Sequence, residues 1–163
     1  MVSPMDPDQV APRRGSLPQR RATDSDHDAS ERRAEEFRRF LVGVALPALE
    51  ALRSAWRKDG RNAQIVAATS LGRDTEATII VSHDGRPEFS CTLRACITPE
   101  RAVVLKRRLV PDPTQRAPAV REEEVPLLGI GGPASDARTL TGRDVMTSIG
   151  ADYQELRRAQ ERE

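Results

Sequence analysis

The sequence predicts an α+β fold: a long N-terminal helix, a four-stranded antiparallel meander and a C-terminal helix packed on the same sheet face. Three observations predict it. Phe37, Leu41, Val44, Ala48, Leu52 and Ala55 recur at steps of three and four, which is one face of a helix. Several short stretches between residues 62 and 110 alternate apolar and polar residues with period two. Thr141 and Asp144 then stand at capping-box spacing ahead of a second helical stripe, Val145, Ile149, Tyr153 and Leu156.

Residues 1–29 read as a disordered tail. Pro4, Pro7, Pro12 and Pro18 are interleaved with Arg, Asp and Ser, and apolar residues are too sparse to offset chain entropy. A single domain is expected over 30–158, with a frayed end at 159–163. The first helix starts near Asp28, where Glu31 completes capping-box spacing, and it ends at Gly60. Pro47 lies inside it and is expected to kink it, because its ring crowds the carbonyl of Gly43.

Four strands follow. Ile65, Ala67 and Thr69 alternate with Gln64, Val66 and Ala68; Ala77, Ile79 and Val81 alternate with Thr78, Ile80 and Ser82. Phe89, Cys91, Leu93, Ala95 and Ile97 give the clearest period of two in the chain. Val103, Val104 and Leu105 open the fourth strand, which runs into Lys106, Arg107 and Arg108. Asp84-Gly85 is the strongest hairpin signal, and short links at Gly72-Arg73-Asp74 and Thr98-Pro99-Glu100 make neighbours antiparallel, in order 1-2-3-4. Five prolines between 111 and 140, with Glu122, Glu123 and Glu124 solvated, predict an irregular connection to the last helix.

Composition bounds the function. The chain has 163 residues, only 37% apolar and 31% charged, with a net charge of +1. It suffices for one modest core and lacks the global field of a nucleic-acid binder. Nearly all its cations are Arg, a bias that fits GC-rich coding better than arginine-based recognition. The two cysteines, Cys91 and Cys96, lie five apart in one strand, on opposite faces, and cannot bridge there. They make neither a disulfide framework nor a metal site, and free thiols fit a reducing cytoplasm. The longest apolar stretch, Phe40 to Leu49, is about half a membrane span, so no membrane segment is expected.

No site chemistry stands out. His83, beside Asp84 at a hairpin, has no partner pattern for acid–base work. Gly129-Ile130-Gly131-Gly132 lacks the Lys-Ser/Thr of a phosphate loop. No catalytic residue, metal or cofactor is expected. One sheet face takes both helices. The other, carrying Val66, Ala68, Ile80, Thr92 and Val104 with Arg94, Lys106 and Arg108, is too apolar to be plainly solvated. The expectation is therefore a non-enzymatic protein-interaction or adaptor module, homodimeric or partnered through that open face. The alternative is a weak nucleic-acid-binding module using Arg94, Lys106, Arg107 and Arg108 as phosphate contacts. A third reading places a small-ligand or catalytic pocket between the long helix and the sheet, around Trp56 and His83.

Overall fold

The first helix begins further upstream than Asp28. The computed structural model describes residues 19–70, 73–112, 120–131 and 135–162, and α1 spans Gln19–Phe40. Ion pairs at helical spacing support its charged second half, among them Arg33 with Glu36 at 2.6 Å and Arg38 with Glu35. The remainder of the expected tail, residues 1–18, lies outside the described residues.

Pro47 leaves its mark as a change of helical pitch. The chain passes from α1 through a π-helical turn, Leu41–Ala45, into α2, Leu46–Lys58. The Leu46 amide reaches back five residues to the Leu41 carbonyl. The wider turn makes room where an α-helix would press the proline ring against the Gly43 carbonyl, and it replaces the expected kink. It also changes which residues meet the sheet. Phe37, Phe40, Leu41, Ala45, Ala48, Leu49 and Trp56 are buried, whereas Val44 and Leu52 are only partly covered. α2 ends as expected at Gly60, whose φ of 74° lets its amide bond Arg57 and lets Arg61 bond Trp56.

The sheet has five strands: β1 (Asn62–Ser70), β2 (Arg73–His83), β3 (Arg86–Ile97), β4 (Ala102–Pro111) and β5 (Val120–Pro126). All neighbours are antiparallel, in order β1-β2-β3-β4-β5. The Asp84-Gly85 turn has positive φ at both residues, as a two-residue hairpin of type I′ requires. Of the expected link Gly72-Arg73-Asp74, Gly72 lies outside the described residues, and Arg73 and Asp74 instead belong to β2, paired with Ser70 and Thr69.

The fifth strand corrects the expectation of an irregular connection over 111–140. Val120–Pro126 pairs with Leu105 to Pro111 of β4, so Glu122, Glu123 and Glu124 belong to the sheet. Beyond it the chain returns along the free end of β4. The Val104 amide donates to the Ser135 carbonyl at 2.7 Å, and Ala137 donates to Ala102 at 2.9 Å. A final helix, α3 (Gly142–Gln160), carries the expected capping box between Thr141 and Asp144. Val145, Ile149, Tyr153 and Leu156 are all buried, on the stripe read from the sequence.

The helices cover the face built by Ala63, Ala77, Ile79, Val81, Phe89, Cys91 and Leu93, and the core lies between the two layers. Trp56, Phe89 and Tyr153 close one end of it, with Tyr153 4.9 Å from Trp56 and 5.4 Å from Phe89 between ring centroids. Trp56 meets the Tyr153 ring edge-on, the geometry that aromatic quadrupoles favour, and Phe89 meets it at a tilt.

Candidate functional site

The register of β4 divides the expected interaction face in two. Ile97 pairs with Ala102, and the link between them is four residues long, Thr98 to Arg101, one more than expected. That extra residue inverts every side chain of β4 relative to the sequence reading. Ala95 opposes Val104, Leu93 opposes Lys106 and Cys91 opposes Arg108. Val104 is therefore 0% exposed in the core, and Lys106 and Arg108 point under the helices. Val66, Ala68, Ile80, Thr92 and Arg94 do share the outer face, where Leu105 and Arg107 join them in place of the three.

Lys106 is tolerated under α3 because that helix supplies its counter-charge. Its ammonium lies 2.6 Å from Asp152 and 2.7 Å from the Ser148 hydroxyl, and Asp152 is only 5% exposed. Arg108 shares the Asp152 carboxylate and donates to Glu123 of β5 at 3.0 Å. The cluster thus ties α3 to β4 through the Asp152 carboxylate and β4 to β5 through that of Glu123, so that neither cation is left uncompensated. Burial beside it, with Asp152 adding to the effect, pushes the Cys91 thiol up to about 12, so it stays protonated at neutral pH. Cys96 is exposed, consistent with the opposite-face placement.

Asp152 carries a signal that periodicity alone passes over. It falls three residues after Ile149 and four before Leu156, inside the apolar stripe of α3. A carboxylate there needs a cation from the sheet.

A second polar group sits at the aromatic end. The helix stop at Gly60 points Arg61 at Glu88, 2.9 Å away, and at the Tyr153 hydroxyl, 3.1 Å away. Tyr153 in turn donates to Glu88. Burial and that bond raise the phenol's pKa, so it remains a neutral donor. A shallow cleft of about 290 Å³ nearby is lined by Trp56, Tyr153 and the end of α3, and His83 is not among its lining residues. His83 stands at the hairpin tip, 3.8 Å from Asp84.

A third carboxylate, Asp144, holds the connection after β5 against α3. It accepts from the Ile130 amide at 2.7 Å and from the amide and hydroxyl of Thr141 at 2.8 and 2.7 Å. The Ile130 bond foremost, then those of Thr141, hold its pKa below the ordinary 3.8. A depressed folded-state value means that the stabilisation is complete above the unfolded value and is lost as pH falls through the folded one. Asp144→Ala is therefore expected to cost about 1–2 kcal/mol at neutral pH. Urea titrations at stepped pH should show that difference shrinking only once the pH is below 3.8. A difference that is constant down to full protonation would contradict this role.

The outer face itself is split by chemistry. Toward β5, Arg94 grips Glu124 through two bonds of 2.5 and 2.6 Å, and Arg107 pairs across the strands with the same Glu124. In the middle, the hydroxyls of Thr78 and Thr92 bond each other at 2.8 Å. Toward β1 the surface turns apolar, with Val66 50% exposed and Ala68 and Ile80 partly exposed beside it. Among the described residues no group of three or more His, Cys, Asp or Glu is placed to hold a metal ion. No helix there is long and apolar enough to cross a membrane. Comparison of the chain with protein-family models, with curated proteins and with solved structures finds no match.

Proposed function

We propose that this chain is a non-enzymatic protein-interaction module that binds a partner protein through the outer face of its sheet. The observation that carries the reading is the division of that face. An apolar area at Val66, Ala68 and Ile80 is flanked by the bonded Thr78–Thr92 pair and the Arg94–Glu124 bridge. A partner can cover an apolar area bordered by polar groups that already satisfy one another without stranding a charge. The charged groups beneath the sheet support the same reading from the other side. Lys106, Arg108 and Asp152 are committed to one another, and Arg61, Glu88 and Tyr153 likewise, so each has a structural role.

The same geometry weighs against phosphate binding by the fourth strand. Of its three cations, Lys106 and Arg108 face the helices and are neutralised, and Arg94 on β3 is held by Glu124. Only Arg107 keeps an exposed place beside them, and counterion release from one cation gives little affinity.

Ile80→Lys tests the proposal. It sets a charge at the border of the apolar area, diagonal to Val66 and opposite Gln64 and Ser90, away from the helices. Full-length tagged protein is expected to recover a defined partner from native lysate, and the variant, with an unchanged circular dichroism spectrum, is expected to lose at least ten-fold of it. Equal recovery by both proteins, or recovery of none by either, would refute the reading.

A further inference from the structure

The two edges of the sheet are built to opposite rules. β5 carries Arg121, Glu122, Glu123 and Glu124 and ends at Pro126, the charges and proline that keep an edge from pairing with another chain. The chain at Ser135–Ala137 covers the rest of that side of β4. β1 has none of these protections. Asn62–Ser70 reads Asn-Ala-Gln-Ile-Val-Ala-Ala-Thr-Ser, with no charge and no proline. Its nine residues exceed the strand length of about five to six that is commonest in sheets. Its one irregularity is a register shift against β2 between Ala68 and Thr69, which leaves Asn62–Ala68 regular. Asn62, Gln64, Val66 and Ala67 are exposed, and among the described residues no backbone-to-backbone hydrogen bond joins this strand to anything but β2. Alternate amides and carbonyls of β1 therefore face outward without a strand to meet them.

We propose that β1 pairs antiparallel with the β1 of a second copy of this chain, joining two five-stranded sheets into one of ten across a two-fold axis. The proposal rests on the interaction reading in taking the chain to bind protein; it names one partner and the edge of β1, which adjoins the outer face at Val66 and Ala68. A register centred on Ile65 opposes Ile65 to itself and Ala63 to Ala67 on the helix side, and Gln64 to Val66 and Asn62 to Ala68 on the outer side. Every opposing pair is small, apolar or neutral, so no like charges meet. Ile65 is only half-buried and Ala67 exposed in one copy, so the apolar row under the helices runs out at this edge and is continued by the second copy. The asymmetry of the edges also selects the occupant. A two-fold contact consumes the bare edge of both copies and leaves only β5 edges outside, which closes the assembly as a dimer and prevents a filament.

The test uses the full chain. Sedimentation and light scattering across a hundred-fold concentration range are expected to show a dimer. Ala67→Lys, which puts a charge at the edge without touching the outer face, is expected to shift it to monomer with an unchanged circular dichroism spectrum. If that variant is unstable, Ala67→Asp provides the same block. In a Cys96→Ser background, Ile65→Cys is expected to oxidise to a disulfide-linked dimer, since the residue meets its own copy. A monomer at every concentration, or a dimer that survives charge at position 67 and is lost with Ile80→Lys, overturns the edge contact. Partner capture that is lost with Ile80→Lys and kept with Ala67→Lys separates the two surfaces, so either reading can fail alone.

Discussion

Replacing Asp152 by alanine is expected to lower the stability of the fold by about 3–5 kcal/mol, the cost of leaving a buried charge without its partner. The carboxylate is 5% exposed and is shared by Lys106, itself 7% exposed, and Arg108. Without it Lys106 keeps only the Ser148 hydroxyl and Arg108 keeps Glu123. Equilibrium urea unfolding should show the midpoint falling with little change in slope. The double replacement Lys106→Met with Asp152→Leu removes both buried charges and is expected to cost less than Asp152→Ala alone, because the penalty lies in the orphaned cation. A single replacement that costs less than about 1 kcal/mol would place the cluster among solvent-screened surface pairs.

Phe89→Ala is expected to cost about as much, roughly 3–5 kcal/mol, by a different mechanism. The ring is fully buried between Trp56, at 6.4 Å, and Tyr153, at 5.4 Å. Truncation removes its transfer energy, both aromatic contacts and the filling of a space that the two larger rings, tied to separate helices, cannot close by themselves. Trp56 is the only tryptophan, so its fluorescence reports on that space directly. The expected result is a red-shifted emission in the folded variant together with an unfolding midpoint at much lower urea. An unshifted emission would show that the aromatic end collapses around the gap.

Much of the fold could be read from local chemistry. β2 and β3 announce themselves by alternation, their hairpin by Asp84-Gly85, α3 by Thr141 and Asp144, and α2's end by Gly60. What the sequence hid was set by contacts between distant segments. β5 carries three consecutive glutamates between two valines, with no apolar alternation to reveal it, and its place comes from Arg94 and Arg108 on neighbouring strands. The face of β4 turned on one residue in the Thr98–Arg101 link, and the misleading cue was charge. Lys106 looks like an outward residue until Asp152 is placed above it. For the same reason Val66, Ala68, Ile80, Thr92 and Arg94 were legible as one surface, while Val104, Lys106 and Arg108 were assigned to the wrong side.

The π-helical turn before Pro47 has a meaning for how the long helix is phased. α1 and α2 are two amphipathic rods, and a continuous α-helix drawn through both would fix the angle between their apolar stripes by residue count alone. The extra residue in Leu41–Ala45 acts as a vernier: it resets that angle so that Phe37, Phe40 and Leu41 on one side and Ala48, Leu49 and Trp56 on the other all meet the same sheet. Rotational phase is thereby uncoupled from sequence spacing in a chain whose helical axis is never interrupted. The proline that makes an ordinary α turn unfavourable at this point also helps to keep the vernier at its setting.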